Sequence, residues 1–276
     1  MNIYNESKKV SFISLFTNFI LTLSKILVGY NFGSKALIAD GVHSFSDIAS
    51  TVITLISIKF SHTQADEKHP YGHGKAEAIG TIVLGIILII TSLTLIKDTL
   101  VNIFSGNLST PGMLTLWVAI FSILSKEGLY RYTIKIGKKI NSKGLIADAH
   151  HHRSDAISSI AALFGIIGSQ LGYPILDPIA GLLVSIIIGK IGINIFNEAV
   201  HELLDGIPSE EKVNKIRNQT ENISEIIDIK DIKVRTYGPK FYVDLTIVVN
   251  KDLSIEKAHE VAVKAEEKIK EKNKEV

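Results

Sequence analysis

The sequence predicts an α-helical membrane protein: six transmembrane helices followed by a small α+β domain. Three observations predict it. Apolar runs of about 20 residues, the length that crosses a bilayer, recur six times in the first 205 residues. Charge is segregated, with 30 Asp, Glu, Lys and Arg in residues 1–205 and 28 in the short remainder from Gly206 to Val276. Past Gly206–Pro208 the spacing of apolar residues changes to that of a soluble module. The expected domains are therefore 1–205 and 206–276.

The spans are expected near 10–31, 36–60, 78–98, 112–136, 144–170 and 178–200. The third is the most apolar, with no charge from Ala78 to Ile96, and the second and fifth are the least apolar at their starts. An even number of spans puts both termini on one side. Lys8 and Lys9 at the N-terminus, and Lys135, Lys138, Lys139 and Lys143 around the fourth connection, mark that side as cytoplasmic. No cleavage site follows the first apolar run, so a removed leader is not expected. In the tail, Ser209 caps a helix, and Ile232 with Val234 begins one half-buried strand. Phe241, Val243, Leu245, Ile247 and Val249 alternate along a second strand, joined to the first at Gly238-Pro239. Residues 254–272 have helical spacing, with Ile255, Ala258, Val261, Ala262, Ala265 and Ile269 on one side. The expected order is helix, strand, strand, helix, lacking a last strand.

The composition narrows the chemistry. The chain is 46% hydrophobic, with a net charge of +2 and a mean hydropathy of +0.27. No basic excess suggests nucleic acid, and the absence of cysteine excludes disulfides and thiolate metal sites.

One short run is written twice. LIADGVHSFSD starts at Leu37 and LIADAHHHRSD at Leu145, 108 residues later. Asp40, His43 and Asp47 lie at i, i+3 and i+7, on one face of a helix, and Asp148, His151 and Asp155 repeat that spacing. His43 with Asp47, and His151 with Asp155, are i, i+4 pairs whose side chains can converge. Two such helices offer two imidazoles and two carboxylates, a tetrahedral set suited to Zn²⁺. Polar contacts between helices are the plainer explanation. Each ionisable group at mid-membrane costs roughly 2.5–3.5 kcal/mol, however, and six in register exceed what packing requires. Asp40 and Asp148 are placed a turn nearer the outer face, either as further ligands or as groups that line the pore or support the ligands from behind. His150 and His152 flank His151 at about 100° and are not expected to ligate. In the loop between spans 2 and 3, Asp66, His69 and His73 cluster around the Pro70–Gly72 turn, as a metal site or as solvated loop residues.

These features resemble the cation diffusion facilitators, proton-coupled exporters of divalent metals. The resemblance rests on six spans, the two His-x-x-x-Asp pairs, the HPYGHGKAE loop and the tail. It implies a cytoplasmic ferredoxin-like tail, a homodimer and a bacterial or archaeal cell membrane. His43, Asp47, His151 and Asp155 would be the transport site, and Asp66, His69 and His73 a second site. Lys75 and Asp205 match an ion pair at the dimer contact. The tail's own metal site is not expected, because Leu245 and Lys230 stand where ligands would, leaving His259 as a surface residue. Lys126, Glu127 and Arg131 are unusual charges in span 4, to be explained by pairing between helices or at the interface.

The donors favour Zn²⁺, with Co²⁺ or Cd²⁺ tolerated, and the resemblance implies exchange for protons, with Mn²⁺ or Fe²⁺ as alternative substrates. No cofactor is expected, and no enzyme activity. An intramembrane zinc protease would show H-E-x-x-H, which is absent. A membrane metal sensor would need an output segment after the tail.

Overall fold

The computed structural model describes residues 3–61, 63, 65–106, 108–139, 143–237, 240–273 and 276. Six long helices come first: α1 Ile3–Asn31, α2 Lys35–Ser61, α3 Ala76–Phe104, α4 Met113–Lys139, α5 Lys143–Gln170 and α6 Leu176–Leu203. Each contains or closely matches an expected span. Among the described residues, α1 from Lys9, α3, α4 and α6 are long and apolar enough to cross a membrane. α2 and α5 have the length, 27 and 28 residues, but carry the repeated polar runs. Those runs face other helices. Asp40 meets Lys25 of α1, His152 meets Ser14 of α1 and Asp155 meets Lys126 of α4. Turned inward in this way, polar residues are tolerated at membrane depth.

The chain packs as two compact units, Met1–Val52 with Leu84–Asn194, and Ile53–Val83 with Ile195–Val276. In the first unit α4 packs along α5 and α1 along α4. A core of Ala36, Leu37, Ala119, Ala162, Ile166 and Ala180 joins α2, α4, α5 and α6. The start of α2 is fixed from two sides. Gly33, at φ 74, ends α1 in the left-handed region that glycine adopts without strain. Ser34 then caps α2 by accepting from the Leu37 N–H, 3.0 Å. The Ser34 hydroxyl donates to Asp177 of α6 at 2.6 Å, and the same carboxylate accepts from the Lys35 N–H at 2.6 Å. Asp177 thus satisfies helix-terminal N–H groups that otherwise have no intrahelical partner. At Gly41 the approach of α1 is so close that a Cβ would lie 2.8 Å from Ile26 Cγ1.

The second unit contains the α2–α3 loop and the tail. The tail elements are α7 Glu210–Glu221, β1 Asp228–Tyr237, β2 Lys240–Val248 and α8 Ile255–Lys272. Ser209 caps α7 and Ser254 caps α8, each accepting from the backbone N–H three residues on. β1 and β2 pair antiparallel, with Ile232 opposite Leu245 and Val234 opposite Val243. Ile216, Val234 and Ile269 form the core, with Val213, Phe241 and Leu245 packed on it. Val261, Ala265 and Ile269 are the buried face of α8; Ile255 is not part of it and is 90% exposed. It stands in the first turn of the helix. The Gly238-Pro239 turn lies outside the described residues.

Candidate metal centre

The repeated runs meet in the first unit. α2 and α5 cross antiparallel: Leu37 packs with Ala162 and Ile166, Asp40 with Ser159, and Asp47 with His151. His43, Asp47 and Asp155 each offer a ligand atom within 4.8 Å of the others. His151 is the outlier. Its Nε2 is 3.8 Å from Asp47 and its Nδ1 3.8 Å from Asp155, but the ring is 51% exposed and falls outside the tight group of three. It lines a cavity of about 440 Å³ together with Ser11, Asn18, Asp47, Thr51 and Asp148.

Two atoms of this centre are buried without a hydrogen-bond partner among the described residues, His43 Nδ1 and Asp47 Oδ2. Buried polar atoms are ordinarily satisfied, so an unpaired nitrogen and an unpaired carboxylate oxygen on two residues of one cluster suit a bound cation. Asp155 is different: its Oδ2 already holds the Lys126 ammonium at 2.6 Å, and both side chains are buried. Lys126 therefore pairs between helices, while Glu127 and Arg131 pair with each other along α4 at 2.7 Å.

The placing of Asp40 and Asp148 on one outer side is corrected. Because α2 and α5 are antiparallel, the two residues lie on opposite sides of the centre. Asp40 is sealed in. Lys25 Nζ lies 2.8 Å from its Oδ2 and donates to Ser44 and Ser159 at 3.1 and 3.2 Å, and Ser159 donates to Asp40 Oδ1 at 2.9 Å. Asp148 instead borders the cavity, 3.5 Å from His152 Nε2. His152 is 1% exposed and 2.8 Å from Ser14 Oγ, so it ties α5 to α1. His150 is exposed near the Tyr130 ring. The sequence reading missed Lys25 and Asp177. A lone lysine inside the first apolar run was the available signal for Lys25.

A second cluster lies in the α2–α3 loop. Asp66 Oδ1 is 3.2 Å from His69 Nδ1, Asp66 Oδ2 is 3.5 Å from His73 Nε2, and the three offer ligand atoms within 4.8 Å of one another. The turn is built for this. The backbone N–H groups of His69 and Lys68 donate to Asp66 Oδ1 at 2.6 and 2.9 Å, and Gly72 takes φ 90. Those donors, His69 first, hold the Asp66 carboxyl below the ordinary aspartate range. Tyr237 of β1 donates to the Gly72 carbonyl at 2.7 Å. Nearby, Lys75 donates to Asp205 at 3.0 Å and to the Leu203 carbonyl at 3.2 Å, and Arg235 reaches Asp205 at 3.3 Å. This pairing forms within one chain; Lys75, then Arg235, depress the Asp205 carboxyl. His259 is exposed on α8.

A helical bundle with carboxylates and imidazoles converging at depth, joined to a small polar domain, defines an integral membrane carrier of cations. Comparison with known proteins gives the family. Residues 11–204 match the cation efflux transmembrane domain, and residues 208–276 the cytoplasmic domain of cation efflux proteins. The chain belongs to the cation diffusion facilitator family of metal-ion transporters, and is not an enzyme. It is 35% identical to an uncharacterized transporter of Methanocaldococcus jannaschii, over 94% of this chain and 91% of the relative. It is 33% identical to the manganese efflux system protein MneS of Bacillus subtilis, over 99% and 95%. It is 36% identical to metal tolerance protein C1 of Arabidopsis thaliana, over 93% of this chain and 58% of that protein.

Proposed function

We propose that the chain exports a divalent transition-metal ion in exchange for protons, with residues 1–205 as the transport domain and 206–276 as a cytoplasmic, dimer-supporting domain. His43, Asp47, His151 and Asp155 hold the ion. The observation that carries this reading is the unpaired His43 nitrogen and Asp47 oxygen, buried within reach of Asp155. The ion enters through the cavity, where His151 is exposed and able to close on it. Ligation requires neutral imidazole and ionised carboxylate, so binding releases protons, and protons arriving from the far side eject the ion. Alternating access around this fixed point makes the exchange directional. Asp66, His69 and His73 form an accessory site on the cytoplasmic side, and the Lys75–Asp205 pair stands at the dimer contact. Both termini are cytoplasmic, in a cell membrane.

Two nitrogen and two oxygen donors favour Zn²⁺. Manganese is the second reading. It is favoured by the manganese efflux proteins MneS and MneP, at 33% and 34% identity over nearly the whole chain. Uptake of Zn²⁺, Mn²⁺, Fe²⁺ and Co²⁺ into proteoliposomes, with and without a pH gradient, tests the proposal. One ion is expected to dominate, uptake is expected to collapse with the gradient, and Asp47→Ala and Asp155→Ala are each expected to abolish it. Gradient-independent uptake would remove the proton exchange, and full transport by either alanine variant would remove the four-ligand site.

A further inference from the structure

We propose that Lys126 is a tethered cation that competes with the transported ion for Asp155, so that it lowers the site's affinity and restricts filling to ions able to displace an ammonium. This rests on the reading of His43, Asp47, His151 and Asp155 as the ion site.

The geometry is direct. Lys126 is 1% exposed on α4, and its Nζ lies 2.6 Å from Asp155 Oδ2. Asp155 in turn lies within 4.8 Å of His43 and Asp47 ligand atoms. An ammonium at that distance occupies the electrostatic position that a bound cation needs. A divalent ion and the ammonium repel each other in a medium of low effective dielectric. The ion can therefore take Asp155 Oδ2 only as Lys126 withdraws, which its flexible four-carbon stem permits, and an ion at Oδ1 is held more weakly while the ammonium stays.

The internal repeat supplies a comparison within the same molecule. Asp47 and Asp155 are 108 residues apart and occupy matching places in the two runs. The position 108 residues before Lys126 is Asn18, which is neutral and lines the same cavity as Asp47. One half of the centre thus holds its carboxylate under a lysine, whereas the other leaves Asp47 Oδ2 unpaired. Joining α4 to α5 does not by itself call for a charge. Their long contact carries neutral residues such as Ala119, beside Ala162 and Ile166, and Gly137, beside Leu145 and Ile146. The ammonium is placed on a ligand. An arriving ion meets His43 and Asp47 free and Asp155 taken. Monovalent cations gain too little from the exchange to complete it, and a divalent ion that completes it is held less tightly than four free ligands would hold it. Weaker holding is what release on the far side requires.

The test is metal binding by titration calorimetry on purified full-length protein, with Mn²⁺ and Zn²⁺ as probes. Lys126→Met and Lys126→Gln remove the charge, Lys126→Arg keeps it, and Asp155→Asn removes the contested ligand. The two neutral variants are expected to bind at least about tenfold more tightly than wild type, with slower turnover in vesicles, and Lys126→Arg to bind as wild type does. A purely structural lysine predicts the opposite, weaker binding on its loss. Neutral variants that bind no more tightly, while Asp155→Asn weakens binding, overturn the proposal and leave the site standing. Unchanged binding in Asp155→Asn overturns the site and the proposal together. Should neither neutral variant purify as folded protein, reductive methylation of wild-type Lys126 read by mass spectrometry decides. Saturating Mn²⁺ should raise it, and an unchanged or lower yield overturns the proposal.

Discussion

Replacing Lys25 by methionine keeps most of the side-chain volume and deletes one charge from a fully enclosed pair. Lys25 is 0% and Asp40 1% exposed, with Nζ and Oδ2 2.8 Å apart, so solvent screening gives no discount. At an effective dielectric of about 20 the attraction is on the order of 6 kcal/mol, but desolvating both groups offsets much of it. The quantity that an experiment reads is the penalty of stranding one partner, about 3–5 kcal/mol for a buried pair. Among the described residues Asp40 would keep the hydrogen bond from Ser159 at 2.9 Å, and Ser44 and Ser159 would lose the Lys25 donor. For a chain of this size that corresponds to a fall in Tm of roughly 10 °C. The assay is thermal unfolding of detergent-purified protein by circular dichroism, beside the double variant Lys25→Met with Asp40→Leu. An apolar pair of similar volume is often neutral or better, so the double variant should recover most of the loss. A single variant melting within about 2 °C of wild type, or a double variant no better than the single, would refute the reasoning.

Removing both loop imidazoles, His69→Ala with His73→Ala, should lower the number of ions bound at equilibrium dialysis and slow transport without abolishing it. Unchanged stoichiometry would show that Asp66, His69 and His73 hold no ion. His43→Asp exchanges the unpaired ring nitrogen for a harder, charged oxygen donor. It should still transport, with a reduced Zn²⁺:Mn²⁺ ratio in the same vesicles. An unchanged ratio would mean that His43 does not touch the ion.

Much of the architecture was legible in the sequence because the signals are local. Span length is set by bilayer thickness, so the six apolar runs fall on α1 to α6. The period-2 pattern from Phe241 to Ile247 reappears as alternate burial along β2, and Ser209 caps α7 as its position suggests. The i, i+4 spacing placed His43 near Asp47, and the repeat paired α2 with α5. What was not legible depends on long-range placement. Asp177 caps α2 from more than 140 residues away, and no local pattern marks it. Ion pairs across helices, Lys25 with Asp40 and Lys126 with Asp155, need the packing of α1 on α2 and of α4 on α5. The opposed direction of α2 and α5, by contrast, follows from the alternation of successive spans, and it puts Asp40 and Asp148 on opposite sides of the centre.

That direction has a consequence for the path itself. A run read along α2 and the same run read along an opposing α5 give two ends that are mirror-ordered: a carboxylate, an imidazole and a carboxylate from either approach. Their neighbours break the mirror. At the Asp148 end the carboxylate borders open volume; at the Asp40 end it is already neutralised by Lys25. The duplicated run therefore ends in unequal counter-charges, and the inequality comes from a single lysine of α1.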